Sequence, residues 1–161
     1  MASKPLSADW FEKLLAVGAI FLLAAMLIAL VKGYEEWGRL PLAVGLHLAT
    51  IGVALALTPV MFLRQRGDQP HRYLGRIWVA AMLLTALFSF FVRSPHNGGW
   101  SPIHLLSFWV VIQAPLIYWS AKTHNIKRHR GTVRGMVFGA LLIAGFFTFP
   151  FNRQLGQWLF S

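Results

Sequence analysis

Four histidines recur in this chain at nearly equal intervals. His47 and His71 lie 24 residues apart and His104 and His129 lie 25 apart, and each pair encloses an apolar run with one proline, Pro59 or Pro115. The neighbours recur too. His47-Leu48-Ala49-Thr50 places a hydroxyl three positions after the first histidine, as His104-Leu105-Leu106-Ser107 does. Each second histidine opens a His-Arg-x-x-x-Arg cluster, His71-Arg72 to Arg76 and His129-Arg130 to Arg134. A match over this length reads as an internal duplication. Two imidazoles at one depth on alternate helices of a bundle supply axial ligands for a haem iron. Two such pairs stacked through a membrane would carry electrons from one side to the other.

The elements that must position these groups follow from composition. Of 161 residues 57% are apolar and 12% charged, and the mean hydropathy is +0.57, too apolar for a soluble domain of this length. The expected fold is all-α, an integral membrane helical bundle in a single transmembrane domain over 1–161. A hydrocarbon core of ~30 Å needs roughly 20 helical residues, and five runs qualify: 11–31, 40–63, 73–92, 102–121 and 131–149. The tail, 150–161, is too short to cross again and is expected on the outer interface. Acidic Asp9 and Glu12 precede an apolar run too long for a signal sequence, so the first helix is expected to be retained.

Eleven Lys and Arg fall on one side of this arrangement, among them Lys4, Arg64, Arg66, Arg72, Arg76, Arg130 and Arg134. Four fall on the other, Lys32, Arg39, Arg93 and Arg153. The bias puts the N-terminus in the cytoplasm and the C-terminus in the periplasm of a bacterial inner membrane. It also accounts for the net charge of +10 with no nucleic acid involved. Trp10 and Trp119 then fall at the inner boundary, and Trp37, Trp100 and Trp158 at the outer one. Helices two-three and four-five become parallel repeats about an axis along the membrane normal. His47 is paired with His104 towards the outer side, and His71 with His129 at the inner boundary. Arg72, Arg76, Arg130 and Arg134 are candidate partners for haem propionates. Thr50 and Ser107, one turn beyond the outer histidines, are candidates to steady them. Arg39, Arg93, His96 and the Gly98-Gly99-Trp100 loop are the outer alternatives.

Each group has a plainer reading. His47 and His104 would also serve as polar helix–helix contacts, and His71 and His129 as partners of lipid phosphates. His124 rivals His129 as an inner ligand, and His96 reads as a solvated loop residue. Gly131, Gly135 and Gly139 form a GxxxGxxxG face suited to helix packing before approach to a macrocycle. Pro59 and Pro115 are expected to kink their helices. Cysteine is absent, which excludes disulfides, iron–sulfur clusters and thiolate metal sites. With five acidic residues, none expected inside a span, carboxylate-based proton or cation transport is disfavoured.

At SPIHLLSFW (101–109), HRYLGRIW (71–78) and HRGTVRGMVFGALLIAGFFTF (129–149), the chain resembles a bacterial family of multi-pass membrane proteins designated a domain of unknown function, over about residues 40–155. It also resembles, more distantly, the transmembrane di-haem b-type cytochromes of the ascorbate-dependent ferric reductase kind. Those place histidines on four successive helices and pair second with fourth and third with fifth. The resemblance implies that His47, His71, His104 and His129 occupy these positions in order. The chain departs from that pattern in holding its inner histidines at the membrane boundary and in spacing them more closely.

Together these features lead to the expectation of a small b-type cytochrome with one or two haem b. It would exchange electrons with a quinol or other small redox partner, alone, as a homodimer or within a larger membrane complex. The alternative is a non-enzymatic assembly factor or accessory subunit without haem. A permease built on the two repeats is a weaker possibility, since few polar residues are available to line a path.

Overall fold

A computed structural model describes residues 7–92, 102–150 and 153–161. The expectations placed on Lys4, Arg93, His96, Trp100 and the Gly98-Gly99 loop fall outside the described residues. Within them the chain forms seven α-helices and no strand: α1 (Trp10–Lys32), α2 (Leu42–Leu63), α3 (Gln69–Ser89), α4 (Pro102–Lys122), α5 (Ile126–Met136), α6 (Ala144–Phe146) and α7 (Gln154–Phe160). A 3₁₀ segment (Tyr34–Arg39) follows α1, and a π-helical segment (Val137–Ile143) runs continuously between α5 and α6.

Local chemistry sets the helix starts. Asp9 and Glu12 form a reciprocal capping box on α1: the Asp9 carboxylate accepts from the Glu12 amide (3.0 Å) and the Glu12 carboxylate from the Asp9 amide (3.1 Å). Asp68 caps α3 through the His71 amide (2.7 Å), with Pro70 in the first turn, where its missing N–H costs nothing. Asn125 caps α5 by accepting from the Arg128 amide (3.1 Å), after a reversal that holds His124 at a left-handed φ of 56°.

Antiparallel neighbours pack in sequence, α2 on α3, α3 on α4 and α4 on α5, and the π segment closes the set by touching α1, α2 and α4. In this bundle α2 lies diagonal to α4, and α3 to α5. α1 packs on α2 and the π segment, and along it Ala16, Ala19 and Ala29 are fully buried, small side chains that permit close approach. Between α2 and α3 the buried Trp78 Nε1–H donates to Thr58 Oγ1 at 3.0 Å, a satisfied polar contact deep in the core.

The C-terminal α7 docks on the end of α1. Trp158, 4% exposed, lies over Gly33, where an added Cβ would come within 2.1 Å of the indole. Lys32 Nζ donates to the Leu159 and Ser161 carbonyls, at 3.0 and 2.5 Å, holding the end of α7. Gly156 is tighter still, since a Cβ there would stand 1.7 Å from the Phe149 carbonyl oxygen, which is backbone and has no rotamer to escape into. Gly156→Ala is therefore expected to undock α7 while leaving the bundle intact. Limited proteolysis should then release the last residues much faster than from the parent chain, and equal protection would refute the docking.

Several expectations change here. Three helices are long and apolar enough to cross a membrane among the described residues, in α1, α2 and α4. The expected third and fifth spans instead begin earlier as helix, at Gln69 and Ile126, because Asp68 and Asn125 cap there. The clusters around His71 and His129 therefore occupy the first two turns and more of these helices. The glycine face does not pack against this chain: a Cβ at Gly131, Gly135 or Gly139 would meet nothing within 4 Å. Pro59 and Pro115 both lie inside continuous helices, α2 and α4, as their place in the apolar runs implied. Trp158, expected at an interface, is buried between α7 and the end of α1, whereas Trp10 and Trp119 are 72% and 63% exposed.

Candidate functional site

Two groups of polar side chains lie at opposite ends of the bundle. At the end away from the arginines, His47 on α2 faces α3. Its Nδ1 lies 3.1 Å from the Thr85 carbonyl and 2.9 Å from Ser89 Oγ. A carbonyl only accepts, so a hydrogen bond to Thr85 puts the proton on Nδ1, and the neutral ring then has its lone pair on Nε2. That is the tautomer a metal-ligating imidazole takes when a carbonyl fixes its other nitrogen. Ser89 donates its own proton to the Thr85 carbonyl at 2.8 Å. The Thr85 hydroxyl donates to Thr50 Oγ1 (2.8 Å), which in turn donates to Leu46 O (2.9 Å). Thr50 thus meets the Thr85 hydroxyl and also the His47 backbone carbonyl, at 3.1 Å.

His47, Thr85, Ser89 and Ser107 form the polar wall of a cavity of about 80 Å³ inside the bundle. Small residues of the π segment and α6, Ala140, Ala144 and Gly145, stand in the same lining, and Leu155 of α7 contributes to it. π segments often occur where a helix has been reshaped around a site. His104, on α4, is 9% exposed and lies one turn from Ser107 on the same face, with its ring 6.2 Å from that of Phe90. The two expected partners thus sit on diagonal helices at this end of the bundle.

At the arginine-rich end, His129 Nδ1–H donates to the Ile117 carbonyl at 3.1 Å, again leaving Nε2 with its lone pair. His71 Nδ1 is buried with no hydrogen-bond partner. Burial, before anything else, holds both imidazoles below their ordinary pKa, and the charge of Arg66 adds to this in each. His71 also feels the charge of His129, so the sequence-matched pair shares one neighbourhood. His124, the rival ligand, is exposed on the reversal between α4 and α5.

The strongest electrostatic feature of that end was not among the sequence expectations. Glu12 is fully buried and gathers three arginines: Arg66 at 2.5 Å, Arg130 at 2.6 and 2.8 Å, and Arg134 at 3.0 Å. Asp9 adds contacts to Arg130 at 3.2 Å and to Arg134. Glu12 raises the pKa of Arg130, and the Glu12 amide together with Arg134 holds the Asp9 carboxyl below the usual range. The expectation that no acid enters a span fails here, because Glu12 lies in the first turn of α1. The signal was present in the sequence as Asp9-x-x-Glu12, a capping-box pattern ahead of an apolar run. Of the four arginines expected to meet propionates, Arg130 and Arg134 are bound to these carboxylates, and Arg72 and Arg76 are exposed on α3.

Apolar helices bundled in this way, with cations gathered at one end, define an integral membrane protein. The chain belongs to the family described as Predicted membrane protein (DUF2306), whose model matches residues 44–154. The match runs from α2 to the first residue of α7, with α1 outside it. Neither the curated proteins nor the solved structures contain a match to the chain.

Proposed function

We propose that this protein is a small b-type cytochrome of the bacterial cytoplasmic membrane, carrying electrons across or within the bilayer between a quinol or other small reductant and an acceptor. In this reading five helical segments cross the membrane with the N-terminus inside, and α2–α3 and α4–α5 form a parallel repeat. His47 and His104 are the ligand pair at the outer level, and His71 and His129 the pair at the inner level. A haem held between two imidazoles supplies reversible one-electron exchange.

The observation that carries the reading is the placement of the His47 ring. A backbone carbonyl holds its Nδ1–H, and the ring stands in the wall of the bundle's internal cavity. His129 is held in the same way on the diagonal of the other level. Both imidazoles keep Nε2 in the form that binds a metal. Thr85, Ser89 and Thr50 keep the His47 ring oriented, and most of the cavity lining around it is apolar.

An absorption spectrum of protein purified in mild detergent after haem-replete expression tests this. The expected result is a Soret band that shifts on reduction, with haem per chain counted against protein. Folded protein without such a band would remove the proposal. An accessory subunit without haem is the competing reading. The cavity volume favours it, since about 80 Å³ admits a macrocycle only if side chains such as Met26, Leu48 and Leu106 turn aside.

A further inference from the structure

The two His-Arg-x-x-x-Arg clusters have different electrostatic fates. Arg130 and Arg134 are neutralised inside the chain by Asp9 and Glu12. Arg72 and Arg76, identical to them in spacing and preceding histidine, pair with no acidic side chain among the described residues. No acid at that end remains for them, because Arg64 holds Asp68 (2.8 Å), the arginine cluster holds Asp9 and Glu12, and Glu35 and Glu36 lie at the opposite end.

α3 carries these arginines on its exposed face. Arg72, Tyr73 and Arg76 are followed on the same face by Ala80, Leu84 and Leu87, all exposed and one turn apart. Arg72 and Arg76 are separated by about 6 Å along the axis, so two forked guanidiniums can converge on one tetrahedral anion. The apolar part of α3, residues 77–89, measures ~20 Å against a hydrocarbon core of ~30 Å. Helix α3 packs between α2 and α4, two helices long enough to span, so the stems of Arg76 and Arg72 must complete its passage and present their charges at phosphate depth. Trp119, exposed at the same end of neighbouring α4, marks that depth as interfacial.

We propose that this face of α3 is a binding site for an anionic phospholipid. The phosphate lies between Arg72 and Arg76, the Tyr73 hydroxyl donates to it, and an acyl chain runs along Ala80, Leu84 and Leu87. The occupant is a lipid and not an acidic protein because the stripe continues from cations into aliphatic surface, and a lipid is the partner with both parts in that order. The site requires α3 to cross the bilayer, as the proposed function also does, but it does not require haem.

Native mass spectrometry of the full chain in detergent, offered phosphatidylglycerol or phosphatidylcholine with the same acyl chains, provides the test. The expected preference for phosphatidylglycerol is about thirtyfold, the attraction of two basic residues near an anionic surface. It should collapse to near parity in Arg72→Gln/Arg76→Gln, and inorganic phosphate at equal concentration should leave the wild-type preference unchanged. Parity in the wild type, a preference that survives the double substitution, or displacement by inorganic phosphate would each overturn the site. Should the double variant not fold, Ala80→Trp blocks the acyl groove at an exposed position and leaves the arginines in place. It is expected to lose most of the retained lipid, and full retention would count against the proposal. Lipid mass is read directly, so the result does not depend on whether haem is bound.

Discussion

Glu12→Gln should lower the stability of the bundle by about 3 kcal/mol, the lower end of what removing one partner from a buried ion pair costs. The lower end applies because the arginine side chains remain 13% to 27% exposed and recover part of their solvation. Glutamine keeps the size of the side chain and can still bond the Asp9 amide, so the capping box survives in part. It no longer balances the three guanidiniums, and Asp9 alone is left to hold Arg130 and Arg134. For a chain of this length about 3 kcal/mol corresponds to a fall in melting temperature of roughly 6–12 °C, readable by thermal unfolding in mild detergent. Glu12→Asp shortens the reach by one methylene and should fall between the two. A melting temperature unchanged by Glu12→Gln would show that the cluster contributes nothing net.

The second large effect concerns the histidines and rests on the proposed cytochrome. His47→Ala and His104→Ala should each remove the same haem completely, leaving identical difference spectra, while His71→Ala or His129→Ala spares it. Loss in one member of a pair but not in the other would break the pairing. Ser89→Ala separates ligation from mere packing. Its hydroxyl lies 2.9 Å from His47 Nδ1 and shares the Thr85 carbonyl, so its loss should shift the midpoint potential or the axial-ligand spectrum while the haem remains. A polar contact serving only helix packing would give no spectroscopic signature in any of these variants.

The sequence was most informative where periodicity and spacing carry the information. Runs of about 20 apolar residues marked where α1, α2 and α4 lie, and the histidine intervals placed His71 and His129 near one another. Helix starts were harder to read, because Asp68 and Asn125 begin α3 and α5 before the apolar pattern does, so the basic clusters ahead of the expected spans are helical. The Glu12 cluster was hidden for a different reason. Its members lie 54, 118 and 122 residues apart in sequence, and no local pattern reports which distant arginines a capping glutamate will meet. The glycine face finds no neighbour within this chain because GxxxG encodes only the possibility of close approach. Which neighbour is there to approach depends on how the whole helix is rotated. The π segment, whose extra residue per turn alters that rotation, has no sequence signature of its own.

The Glu12 cluster also sets an order of assembly. Glu12 is made in the first helix, but Arg130 and Arg134 reach it only when the last long helix has been synthesised and laid beside α1. Closure of the bundle and neutralisation of this charge are therefore one event, late in biogenesis.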